Sequence, residues 1–174
     1  MPTYDCPEDW LSDSSTLYMQ IGGNTNYSVG NHIQKQQGGN VSNNVVNIPG
    51  CQKISAFGTY DWPAGDYCII AVKCPPDFYP GHIGLHEEGD YIYHFYFCCR
   101  NDGLSSAPIK LPTTMPFYLY RFWGECQQVM DMTVTEEYIH FDTKDDQNSD
   151  EFYGSFAFVI VTTDYVDLRF CYYE

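Results

Sequence analysis

Positive charge is scarce in this chain. Its 174 residues hold eight Lys and Arg against 23 Asp and Glu, a formal net charge of −15. A nucleic-acid partner needs clustered Lys and Arg to neutralise phosphates, so this composition argues against one. It also argues against simple attraction to anionic membranes. Long apolar runs are missing, and no transmembrane helix is expected. No segment of 11 or more residues carries a 3.6-residue period, so no amphipathic helix is expected either.

Catalytic signatures are missing as well. His82 and His86 stand four apart, but Glu87 follows His86, so the zinc-protease pattern HExxH does not form. Between Gly81 and Gly89 these histidines read as surface-loop residues. There is no C-x-x-C, no Gly-x-Ser-x-Gly elbow and no phosphate-cradling glycine loop. The expectation is a non-enzyme without a cofactor. The chain opens Met-Pro-Thr-Tyr-Asp-Cys, with no secretory leader, and reads as the mature portion of a secreted protein or as a domain of one with Met1 added.

Cysteine is abundant. Cys6, Cys51, Cys68, Cys74, Cys98, Cys99, Cys126 and Cys171 form an even set in a chain long enough to bury a core without staples. Residence in an oxidising compartment is the remaining usual reason, and all eight are expected in disulfides. Reduced, buried thiols are the plainer alternative. Two sequons, Asn26-Tyr27-Ser28 and Asn40-Val41-Ser42, add mild support for secretion.

The fold is predicted all-β: a disulfide-bonded compact domain of many short antiparallel strands. Strands are expected over 66–72, 91–99 and 133–141. A hairpin is expected from alternation over 155–162, a turn near Thr163-Asp164, and alternation over 166–173. Residues 21–50 read as loops and short strands. Cys6-Pro7-Glu8-Asp9-Trp10 and Cys74-Pro75-Pro76-Asp77-Phe78 share one pattern, which points to a degenerate internal duplication inside a single domain, 1–60 and 61–174. The repeated pieces suggest Cys6 with Cys51 and Cys74 with Cys98 or Cys99. Cys68, Cys126, Cys171 and the leftover vicinal cysteine would form the other two bridges.

Two sets of side chains are candidates for binding. Asp146, Asn148 and Asp150 have the alternate-residue oxygen spacing of a calcium loop, though Glu151 stands where such a loop needs glycine and Ala157 where it needs its bidentate Glu. A solvated acidic turn is the plainer reading. Three of the eight cations lie within 98–132. There Arg100 and Arg121 could meet a ligand carboxylate. Asp102 and Trp123 complete the candidate set, Trp123 as a stacking face. The competing reading is that both arginines pair with the chain's own acids.

Three stretches then carry a resemblance: CCRNDG, then PIKLPTTMPFYLYRFWGECQQVMDM, then EEYIHFD. Together they resemble the carboxy-terminal domain of apextrin, called ApeC. Trp62-Pro63-Ala64-Gly65-Asp66-Tyr67-Cys68 with Cys74-Pro75 is similar to that family's upstream element, and Cys6-Pro7…Trp10 to an earlier one. The resemblance implies an extracellular module of invertebrate innate immunity that binds bacterial peptidoglycan or its muramyl peptide. It also implies that a perforin-like domain often lies upstream, and nothing in this chain resembles one. The alternative, of another class, is an extracellular structural or assembly module without glycan affinity, such as the accessory domain of a pore-forming protein.

Overall fold

The computed structural model describes residues 62–71, 73–87, 91–111, 117–142, 150–162 and 165–174, together with the backbone of three earlier strands. Cys6, Cys51, the first copy of the repeated piece, both sequon asparagines, Asp146 and Asn148 lie outside the described residues. Eleven strands follow in chain order: β1 (Tyr27–Val29), β2 (Gln34–Gln37), β3 (Asn44–Asn47), β4 (Asp66–Ile70), β5 (Tyr79–Glu87), β6 (Tyr91–Asn101), β7 (Phe117–Arg121), β8 (Val134–Asp142), β9 (Glu151–Gly154), β10 (Val159–Val161) and β11 (Tyr165–Tyr173). No helix occurs among the described residues. The all-β expectation holds.

One large sheet runs β1-β8-β11-β7-β4-β6-β5-β9, with β10 paired to β11. Its strand pairs are antiparallel. Strands β2 and β3 form a separate ribbon. Successive side chains on a strand point to opposite faces, and both faces of this sheet bury core. Cys68, Ile83, Phe95, Phe97, Cys99, Tyr120, Ile139, Leu168 and Phe170 make the first core. Tyr67, Cys98, Phe117, Leu119, Cys171 and Tyr173 make the second, under a layer of loops that adds Trp62, Phe78, Ile109, Leu111, Cys126 and Val129. Burial on both faces explains why the end of β11 reads as a near-continuous aromatic run instead of an alternating one.

The vicinal cysteines follow from the same pleat. Cys99 points into the first core and bonds Cys68 on β4, while Cys98 points into the second and bonds Cys74 in a loop. The third described bridge, Cys126–Cys171, ties the loop layer to β11. Among the described residues no cysteine is free. The choice left open for Cys74 falls on Cys98.

Two elements depart from the sequence reading. The segment around His82 and His86 is strand β5, where a loop was expected. Its glycines looked like breakers, but Gly81 is needed for close approach: a Cβ there would sit 2.0 Å from the Ser155 carbonyl oxygen. The expected arm 155–162 is also shorter, since only Val159–Val161 pairs with β11. Residues 155–158 instead cross the sheet. The Ser155 N–H donates to Pro80 O on β5 (3.1 Å), and the Phe158 N–H to Arg121 O at the end of β7 (2.7 Å). Three residues reach about 11 Å, and the two hydrogen bonds complete the span from β5 to β7, with Ala157 fully buried in the crossing.

Candidate functional site

Arg100 leaves β6 beneath the loop layer and is buried. Its Nε donates to Asp102 Oδ1 (2.8 Å) and its Nη2 to Asp102 Oδ2, forming a two-pronged fork. Its Nη1 donates to Trp62 O at 2.6 Å, and the guanidinium lies 5.2 Å from the Phe78 ring centre. Asp102 also accepts the Gly65 N–H at 3.1 Å. This pair clamps the Trp62–Gly65 turn to the end of β6. Gly103 completes the clamp, because a Cβ there would lie 2.9 Å from the Gly65 backbone.

The clamped turn then holds the next loop. The Asp66 carboxylate accepts the N–H groups of Trp123 (2.9 Å) and Gly124 (2.7 Å). Arg121 closes that loop from its other side. Its Nε donates to Gly124 O at 2.6 Å, its Nη1 meets Glu136 at 3.1 Å, and the guanidinium lies 4.3 Å from the Phe158 ring centre. Gly124 has no room for a side chain, since a Cβ would stand 2.5 Å from Ser105 Oγ. Trp123 is left at the tip, 71% exposed. The four candidates thus form one connected unit. Arg100 and Asp102 brace it, Arg121 closes it, and Trp123 presents open surface.

The brace responds to pH. The hydrogen bond from Arg100 holds the Asp102 carboxyl down at about 2, below its ordinary 3.8, and the same bond raises Arg100. A carboxylate with a depressed folded-state value stabilises the fold above its unfolded value, and that stability is lost as pH falls through the folded value. Taken at face value the shift is worth about 2.4 kcal/mol. Asp102 is 45% exposed, so solvent screening reduces this to about 1 kcal/mol. Asp102→Asn is therefore expected to melt below wild type at pH 6, with the gap narrowing between pH 4 and pH 2. A gap that stays constant over that range would remove the pair's electrostatic role.

Gln127, which the sequence reading did not single out, is the hub of the loop layer. Its Oε1 accepts the Asp66 N–H (2.8 Å), and its Nε2 donates to Ala107 O (2.7 Å), with Gln128 O, Ser105 O and Leu104 O at 3.2–3.4 Å. Tyr173 Oη donates to Gln127 O at 2.7 Å. In the sequence Gln127 stands among other polar residues, between Glu125-Cys126 and Gln128, and nothing local sets it apart.

No group of three His, Cys, Asp or Glu among the described residues is placed to hold a metal ion. Asp150 is half-buried, and its two companions in the acidic loop lie outside the described residues.

Residues 84–173 match the family described as the C-terminal domain of apextrin, ApeC. That is just over half of the chain. The chain belongs to the ApeC family. Neither the curated proteins nor the solved structures offer a match. Within the ApeC match, most of the fingerprint builds the two stapled layers: Cys98 and Cys99 bridge opposite faces, Arg100 and Asp102 clamp the Trp62 turn, Cys126 and Gln127 anchor the loops, and Val129 bridges Ile109. The Trp62–Cys68 element precedes the match and is bonded into it through Gly65 and Asp66. The three described disulfides fit an extracellular, apextrin-like module.

Proposed function

We propose that this ApeC domain is a secreted, non-enzymatic recognition module of innate immunity that binds bacterial cell-wall peptidoglycan or its muramyl peptide. The observation that carries the reading is the Trp123 tip: a largely exposed indole on a loop fixed by the Asp66 carboxylate and Arg121. A fixed, exposed aromatic face costs little conformational entropy when a ligand stacks on it. Arg121 already bonds Gly124 and Glu136, so the indole and the loop backbone supply most of the contact. With a net charge of −15, anionic wall polymers are repelled at long range. Screening over about 8 Å at physiological salt leaves short-range recognition. In a longer protein, a perforin-like domain would supply any membrane attack.

Trp123→Ala is expected to lower retention on insoluble peptidoglycan by roughly 30-fold, the loss of a central aromatic contact of about 2 kcal/mol. Its melting temperature should stay near wild type. Equal retention by both proteins at low and at physiological salt would overturn the assignment of Trp123. Leu104 and Met130 are also exposed on these two loops, which favours the second reading, an assembly surface. Self-association without peptidoglycan retention would select it.

A further inference from the structure

The second core does not extend across the whole sheet. Beyond the loop layer, at the β6-β5-β9 side, no core cluster forms on the same face among the described residues, and it carries a row of rings. Tyr153 on β9 pairs in register with His82 on β5, and His82 with Tyr96 on β6; His94 lies two residues further along β6. The His82 ring stacks on Tyr153 at 5.5 Å and 28°, and His94 on Tyr96 at 5.9 Å and 23°. His82 also meets Tyr96 at 5.8 Å and His94 at 5.5 Å. The His94 imidazole lies over Gly84, where a Cβ would be 3.4 Å from it. Tyr153 is 70% exposed and Tyr96 43%.

From this row we infer that the β6-β5-β9 face is a subsite for a neutral, β-linked pyranose chain. The inference rests on the reading of the domain as a wall-glycopeptide binder, and assigns the glycan strand to a place separate from Trp123.

Three observations select this occupant. The first is shape. The rings cross three adjacent strands, a track on the order of 10 Å long, which suits consecutive sugar rings better than a single small ligand. The second is charge. The row contains no Lys or Arg, and Glu151 is the register partner of Gly84 beside His94. An anionic occupant finds no cation in the row, while a neutral polyhydroxyl chain meets apolar ring faces edged with phenol and imidazole donors and acceptors. The third is area. The exposed parts of these rings amount to on the order of 300 Å², short of the roughly 800 Å² that each partner buries in a stable protein interface.

The test uses the full chain and a β-linked N-acetylglucosamine tetramer as probe, read by NMR titration or calorimetry, with insoluble peptidoglycan in parallel. Wild type is expected to bind the tetramer, and Tyr153→Ala to weaken binding at least tenfold while keeping the wild-type urea midpoint. Tyr96→Ala, on an interior strand, provides a second variant. Peptidoglycan retention without tetramer binding would overturn the inference and leave the function standing, and so would tetramer binding indifferent to both tyrosines. Tyrosine-dependent tetramer binding without peptidoglycan retention would uphold the subsite and remove the wall-binding function.

Discussion

Gln127→Leu is expected to destabilise the domain by about 3–5 kcal/mol, although leucine nearly matches glutamine in volume. Gln127 is 1% exposed and its bond to the Asp66 N–H is buried, so that N–H cannot turn to water, while the part-buried carbonyls can do so only in part. Removing its amide strands the Asp66 N–H and the Ala107 carbonyl, both held at short distance, and weakens contacts to three further carbonyls. Each buried polar group left without a partner costs about 1–3 kcal/mol. Because the volume is kept, little of the effect can be assigned to a cavity. Urea unfolding of the oxidised protein measures it. A loss under 1 kcal/mol would mean that the loop layer finds other partners and that Gln127 is not its hub. The consequence reaches the candidate site. Asp66 uses its N–H on Gln127 and its carboxylate on the Trp123 loop, so Trp123 should also lose its fixed position.

Breaking the Cys126–Cys171 bridge should cost about as much by a different route. The two cysteines are separated by 45 residues. Releasing a loop of that length restores chain entropy to the unfolded state worth about 4 kcal/mol. For a chain of this size that corresponds to a fall in melting temperature of roughly 10 °C. The double replacement Cys126→Ala with Cys171→Ala is the right variant, because both positions are buried in the second core and serine would bury two hydroxyls. A scan at fixed pH, with wild type beside it, checks the shift. A fall of less than about 3 °C would mean that packing alone holds the loops on β11. Unlike Gln127→Leu, this change acts mainly through the unfolded chain.

The two changes separate what the ApeC fingerprint does for stability from what it does for recognition. Cys126, Gln127 and Val129 lie within four residues, and each is consumed internally by a bridge, a hydrogen-bond hub or a strand contact. Arg100 was a ligand candidate because cations are rare here. In the fold it is buried, with Trp62, Asp102 and Phe78 around its guanidinium.

Fold class, the closing of the hairpin on Tyr165–Tyr173 and the disulfide chemistry were legible in the sequence, because they depend on local alternation and on cysteine count. The family was legible because its motifs are short and contiguous. Strand β5 was not, since Gly81 answers to the close passage of Ser155, a residue 74 positions away. Nor was the ring row legible: His82, Tyr96 and Tyr153 become neighbours only through the registers of two strand pairs. Composition and spacing by themselves determined that this is a stapled, acidic, all-β chain, and the resemblance of its motifs pointed to the ApeC family. Only the tertiary structure decided which side chains are used up inside and which face outward. A side chain's partners are set by strand register and by the loops that cover each face, and these join residues far apart in sequence.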